Sequence, residues 1–361
     1  MSTIIHTSDL HFSKTEREYC LSVWEEIRNI GLEEKAEAIL ISGDLFNEFS
    51  DIEACRSDLQ SGLENYPIPI FAISGNHEIL RINRGSLGSF SLGEIHWYHS
   101  EDPKLIPIES GNWELLVVPY QSVYQNYRDW KFPEKKKPRI VMAHGIVPEL
   151  LAYTGIDEEE GDHILEIDML RKLAGDYYAL GHIHKPTSKN WNGLSLHYPG
   201  SPRVWRRGES GPRSVNLIQI GRTGEISVIQ RKVQSAGEYR ELEWNLKPDG
   251  SIPDIAPEDS FSSNDMIQIK LIGFAESEPA LAEVAKELER KWKIKFPRMQ
   301  KVDLSHVEFL AGVQDEHLVR KFLAEWDQKV AEISDPKTLS LWNKARQIGV
   351  QAILDQRTGG K

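Results

Sequence analysis

Apolar positions in the first half of the chain fall in short, nearly unbroken runs separated by longer stretches of helical period. Thr3–Ser8, Ala38–Ser42 and Ile70–Ser74 are runs of apolar and β-branched residues, the pattern of strands covered on both faces. Between the first two, Tyr19, Val23, Ile27 and Ile30 recur every three or four positions, which predicts a helix that Gly31 ends. Glu114–Pro119, Arg139–Ala143, Tyr177–Leu180 and Ser195–Tyr198 read as further strands. Val215–Ile220 and Ile226–Arg231 flank a turn at Gly221–Glu225 and read as a hairpin. Strands alternating with helices predict an α/β fold.

The pattern then changes. Lys247–Asn264 is rich in Pro, Asp, Ser and Gly and reads as a linker. A strand (Met266–Phe274), a helix (Pro279–Trp292) and a strand (Met299–Leu304) follow, predicting a small α+β domain that begins near Val233. Leu318, Phe322, Trp326, Val330 and Ile333 form one helical stripe, and Leu341, Ala345, Ile348 and Ala352 a second. Ser334-Asp335-Pro336 separates them, so the chain closes on a helical hairpin with little core of its own.

Composition narrows the setting. Of 361 residues, 40% are hydrophobic and 27% charged, as in ordinary globular chains. No apolar run approaches the ~18 residues of a membrane helix, and the opening MSTIIHTSDLHF lacks the basic-then-apolar order of a secretory signal. Two cysteines, Cys20 and Cys55, are too few for a disulfide scaffold or a thiolate zinc module. A reducing, cytoplasmic setting without a membrane is expected. The net charge of −12, taken alone, argues against a nucleic-acid partner.

Five short motifs carry the chemistry, each just after an expected strand. They are Asp9-Leu10-His11, Gly43-Asp44, Gly75-Asn76-His77-Glu78, His144-Gly145 and Gly181-His182-Ile183-His184. In α/β folds functional groups collect at the carboxyl ends of strands, so these motifs can converge on one crevice. Imidazole, carboxylate and amide donors without sulfur suit borderline divalent metals. Asp44 is placed to bridge two ions ~3.5–4 Å apart, as in two-metal phosphoryl-transfer sites. His77 is then free to protonate a leaving oxygen, with Glu78 expected to orient its ring. The remaining histidines, His163 among them, lack such company and are read as structural or surface residues.

The ordered set DxH…GD…GNHE…H…GHxH, over residues 4–184, resembles the calcineurin-like metallophosphoesterase superfamily. His6-Thr7-Ser8-Asp9-Leu10-His11, Gly43-Asp44-Leu45-Phe46, Gly181-His182-Ile183-His184-Lys185-Pro186 and Tyr198-Pro199-Gly200-Ser201-Pro202 further resemble SbcD-type DNA-repair nucleases, which work with the SMC-like ATPase SbcC. The resemblance implies a four-layer β-sandwich flanked by helices over 1–232, an α+β DNA-capping domain over 233–310 and a partner-binding helical hairpin over 311–361. It also implies two divalent ions, manganese by family likeness, although the donor set equally admits iron or zinc. One ion would sit on Asp9, His11, Asp44 and His184, and the other on Asp44, Asn76, His144 and His182, with His77 as the catalytic histidine. Three positions depart from the family pattern: Ser13 replaces a common Gly, Glu78 an Asp, and Asn47 a His or Asp.

Family likeness reopens the question of charge. Arg290, Lys291, Lys293, Lys295, Arg298 and Lys301 crowd a short stretch with Trp292 and Phe296 interleaved, while Arg203, Arg206, Arg207 and Arg213 form another, diluted only by Glu209. DNA affinity depends on local charge; much of the acidity lies elsewhere, in the linker and in residues 157–162. Both stretches are expected to face DNA. The hairpin admits three readings, packing against its own domain, a homodimer contact or a seat for a partner helix of SbcC, and Phe322, Trp326 and Trp342 are expected to anchor whichever interface forms. The competing readings are a small-molecule phosphodiesterase or phosphatase on the same centre, and a catalytically silent DNA-binding scaffold.

Overall fold

The computed structural model describes residues 1–78, 91–99, 102–108, 111–124, 126–150, 164–247, 250–309, 317–331, 333 and 335–358. The run 157–162, His163, Ser334 and the start of the C-terminal segment at 311 lie outside the described residues. The chain divides into two compact units, Met1–Gly237 and Glu238–Lys361. None of the described helices is long and apolar enough to cross a membrane.

In the first unit, β1 (Ser2–Thr7), β2 (Ala38–Ser42), β3 (Ile70–Ile73), β4 (Ile95–Tyr98), β11 (Ser214–Ile220) and β12 (Ile226–Lys232) make one sheet, in the order β12-β11-β1-β2-β3-β4. The other holds β5 (Lys104–Pro107), β6 (Glu114–Val118), β7 (Arg139–His144), β8 (Tyr177–Gly181), β9 (Thr187–Trp191) and β10 (Leu194–Tyr198), in the order β5-β6-β7-β8-β10-β9. In each sheet four neighbouring strands, β1 to β4 and β6-β7-β8-β10, run parallel, and the remaining strands pair antiparallel.

Alternation along the strands explains the unbroken apolar runs. Ile4, Leu40, Ile73, Leu115, Val117, Met142 and Ala179 face the layer between the sheets. Ile5, Ile39 and Ile41 point the other way, against Trp24 and Ile27 of α1 (Arg17–Glu33) and Leu59 of α2 (Phe49–Gln60). Leu116, Val141 and Leu180 likewise cover Met169, Leu170 and Leu173 of α3 (Ile167–Leu173). The result is the expected four layers, helix–sheet–sheet–helix. Helix α1 does not stop at Gly31: it continues to Glu33, and a Cβ at Gly31 would meet the Tyr66 hydroxyl at 2.8 Å. That glycine serves close packing rather than termination. Val233 and Ala236 belong to the α1 core, so the first unit runs past the expected boundary at 232.

The second unit contains a parallel sheet of β13 (Tyr239–Asn245), β14 (Met266–Ala275) and β15 (Asp303–Phe309), crossed by α4 (Glu278–Lys295). The last strand lies later than expected, since Met299 is part of the core before β15 begins. Helices α5 (His317–Val330) and α6 (Pro336–Thr358) follow, and Val319 and Val350 pack on Phe274 of β14.

Candidate metal centre

All five motifs leave strand ends of the two sheets. Asp9 and His11 follow β1, Asp44 follows β2, Asn76 and His77 follow β3, His144 ends β7, and His182 and His184 follow β8. The loops interlock: Asp9 N–H donates to Gly43 O, and His11 N–H to Asp44 O, both at 3.0 Å. The His182 N–H donates to both Asp9 carboxylate oxygens, at 2.9 and 3.1 Å. Four non-glycine residues of these loops hold positive φ: Asp9 (54°), His11 (45°), Asp44 (49°) and His182 (100°). Each such residue costs of order 1–3 kcal/mol, and four together mark a place where side-chain direction outweighs backbone comfort. Gly181 has no room for a side chain, because a Cβ would run into the Ser42 carbonyl.

Three groups of donor atoms converge to within 4.8 Å: Asp9, His11 and His184; His11, Asp44 and His77; and Asp44, His144 and His182. Asn76 Oδ1 joins the last, 3.0 Å from His144 Nε2 and 3.1 Å from His182 Nδ1. The structure thus brings together all seven residues expected as ligands, with His77 beside them.

The donor set fits cations. Asp9 and Asp44 are buried, and among the described residues only histidines approach them as ion-pair partners. His144 donates its Nδ1–H to Ser42 O at 2.8 Å, so its Nε2 faces the Asn76 oxygen as acceptor against acceptor unless a second proton or a cation intervenes. His184 gives its Nδ1–H to Glu209 at 2.6 Å, which leaves Nε2 facing His11 Nε2 at 3.0 Å. Burial opposes charge on His144, yet Asp44 and Asp9 outweigh it and push the ring up to about 9. Burial would likewise raise the Asp44 carboxyl, but His144, His11 and His77 hold it below the usual carboxylate range. Asp9, where burial prevails, is raised. The pocket demands positive charge, which divalent ions would meet.

Other expectations are revised. Glu78 does not orient His77: its two oxygens accept from Phe46 N–H (2.8 Å) and Gly75 N–H (2.7 Å), pinning the Asp44 and Asn76 loops together. The ring of His77 instead donates Nδ1–H to the Asn47 carbonyl at 2.5 Å, which turns Nε2 toward Asp44 Oδ2, 3.9 Å away. Arg203 is not a surface cation. It is 1% exposed and donates to Leu10 O, His11 O and Glu16, each at 2.7 Å, bracing the first motif. Arg213 is buried against His184 O. Arg206 and Arg207 are exposed.

In the second unit Arg290, Lys291, Lys293, Lys295 and Lys301 are exposed, whereas Arg298 is buried and donates to Asn264 O. Trp292 and Phe296, expected to interleave with the cations, belong to the core. Phe322 and Trp326 meet at 5.2 Å and Trp326 and Trp342 at 4.8 Å, so these aromatics first hold the hairpin to itself. Trp205 and Glu209 are site residues that pattern reading missed. No periodicity joins them to the motifs, and only the fold of the 201–213 loop brings them there.

A four-layer α/β sandwich with paired histidine–carboxylate clusters at its strand ends defines a metallophosphoesterase. A family model described as calcineurin-like phosphoesterase matches residues 2–186, just over half of the 361 residues, and the chain belongs to that family, whose centres are dinuclear. Its relatives include the DNA double-strand break repair protein Mre11 of Methanopyrus kandleri, 24% identical over 66% of this chain and 57% of that protein. Another, the Mre11 of Methanocaldococcus jannaschii, is 29% identical over 49% of this chain and 48% of its own length. The D component of the Bacillus subtilis nuclease SbcCD is 25% identical over 65% of this chain and 70% of its own length. The chain spans 48% to 57% of the first relatives, about half their length.

Proposed function

We propose that this chain is a metal-dependent DNA nuclease, hydrolysing phosphodiester bonds at a dinuclear, manganese-preferring centre as the nuclease component of a repair complex with an SbcC-like ATPase. One observation carries the hydrolytic part: Asp44 is shared by two donor groups, while His77 stands over it with Nε2 directed into the site. Asp9, His11, Asp44 and His184 would hold one ion and Asp44, Asn76, His144 and His182 the other. Such a pair supplies a hydroxide near neutral pH and positive charge at the phosphorus. His77, with Nδ1–H fixed on a carbonyl, presents Nε2 to a leaving oxygen and, as the imidazolium, hands over the Nε2 proton and becomes neutral.

The DNA assignment is supported by the relatives named for double-strand break repair and by the exposed cations of α4, Arg290, Lys291, Lys293 and Lys295. The ATPase partner, and its docking on the hairpin, rest on the SbcCD likeness. The test compares linear duplex, single-stranded DNA and a chromogenic phosphodiester, with manganese, for wild type, His77→Ala and Asp44→Ala. DNA cleavage lost in both variants supports the proposal. Turnover of the small ester alone, with the ATPase present, returns the chain to the small-molecule phosphodiesterases. Removal of residues 312–361 is expected to abolish ATPase binding and spare hydrolysis.

A further inference from the structure

Loop 201–213 contributes contacts to the site that the ligand set does not require. The Trp205 indole lies flat on the His11 ring, with centroids 4.0 Å apart and planes 5° from parallel. Its edges meet His184 at 4.9 Å and His77 at 5.5 Å. Its Nε1–H donates to Asn47 Oδ1 at 2.6 Å, and the Asn47 carbonyl is the acceptor for His77 Nδ1–H. Its own backbone N–H is held by Glu209 at 2.7 Å, the same carboxylate that fixes His184. The Arg206 guanidinium stands 4.2 Å from the indole centroid.

Asn47 is therefore gripped from both ends. Its side chain is tied to Trp205, and its carbonyl sets the direction of His77. An imidazole donating to a lone loop carbonyl takes the position that loop gives it, and the Asp44 carboxylate, 3.9 Å from Nε2, is beyond hydrogen-bond reach. We propose that Trp205 is a positioning residue: acting through Asn47, it locks His77 in register with the His11–His184 side of the centre. The inference rests on the role given to His77 above. Trp205 makes no described contact with Asp44, His144 or His182, and a Phe at this position keeps a ring on His11, so loss of the indole N–H alone should move the acid and leave the ions in place.

The experiment uses the full chain with Mn2+ and a dinucleotide phosphodiester, whose alkoxide leaving group needs a proton, measuring kcat and KM, alongside Mn2+ affinity by calorimetry. Trp205→Phe keeps a ring on His11 and removes the N–H, while Asn47→Ala removes its acceptor. Each is expected to lower kcat about tenfold, since misplacement of a general acid by a fraction of an ångström forfeits part of its 10²–10⁴-fold contribution. KM and Mn2+ affinity should stay within about twofold, and the double variant should be no slower than either single one, as for residues acting in one chain. Unchanged kcat in Trp205→Phe, additive losses, or Mn2+ affinity falling in step with kcat would each overturn the proposal. If His77→Ala turns over as wild type, the role of His77 and this inference fall together. If His77→Ala is inactive while Trp205→Phe is unimpaired, only the inference falls.

Discussion

Arg203 separates a structural reading of the basic loop from an electrostatic one. Arg203→Met keeps most of the aliphatic stem and removes the guanidinium. Leu10 O and His11 O, both buried, then lose donors 2.7 Å away. An acceptor left buried without a partner costs about 1–3 kcal/mol. The Glu16 side chain, 28% exposed, can turn to water and adds little. The sum, about 2–6 kcal/mol, is a large share of the roughly 5–15 kcal/mol that stabilises a domain. With a urea slope of about 3 kcal/mol/M, the unfolding midpoint of the metal-free first unit should fall by about 1–2 M. Metal affinity should weaken too, because Arg203 holds the carbonyl of His11 itself. A phosphate contact behaves otherwise: its loss lowers the salt dependence of DNA binding by about one in log–log slope and leaves the midpoint alone. Urea titration in EDTA, paired with DNA binding across a salt series, reads both. A variant with an unmoved midpoint and a shallower salt slope would refute the bracing role.

Other substitutions test other parts of the molecule. Asp44 serves two donor groups and Asn76 one side only, so Asp44→Asn should lower the bound manganese from two ions toward none, and Asn76→Ala toward one, by equilibrium dialysis with metal analysis. Burial pushes the His197 ring down to about 4, against an unfolded value near 6.5. Because that folded value is depressed, the stability it confers is intact above pH 6.5 and is lost as pH falls through 4, by at most about 3 kcal/mol. His197→Leu should therefore flatten the fall in urea midpoint between pH 7 and 4. Gly349 in α6 faces the Phe322 ring, which a Cβ would strike. Gly349→Ala should loosen the hairpin by about 1–3 kcal/mol, seen as faster amide exchange in α5 and α6 with manganese binding unchanged.

What could be read from the sequence follows from how each feature is encoded. The central strands were legible because both faces are buried, and a continuous apolar run such as Ala38–Ser42 has few other uses. The edge strand β12 was read through its hairpin turn, but β9, Thr-Ser-Lys-Asn-Trp, was not: it carries polar residues to solvent and pairs along one side only. Strand β13, Tyr-Arg-Glu-Leu-Glu-Trp-Asn, carries three charged residues among seven and gave no apolar run to assign, although it pairs with β14. The convergence of Asp9, His11, Asp44, Asn76, His144, His182 and His184 was legible because short motifs at strand ends need no long-range knowledge to be recognised together.

The supporting residues had no such signature, and there the charge count misled. Arg203, Arg213 and Arg298 counted as cations for DNA, but each is buried on backbone carbonyls. Glu209 counted as dilution of a basic stretch, yet it orients His184, and burial that would raise it is outweighed by His184 and the Trp205 N–H, so it stays ionised below the usual range. A side chain's formal charge is fixed by sequence, but whether that charge faces a ligand or a carbonyl is fixed by the loop that carries it. The exposed cations of the two basic stretches are therefore fewer and more local: Arg206 and Arg207 near the centre, and Arg290, Lys291, Lys293, Lys295 and Lys301 in the second unit. Against a net charge of −12, so small a set predicts weak, salt-sensitive DNA binding by this chain alone.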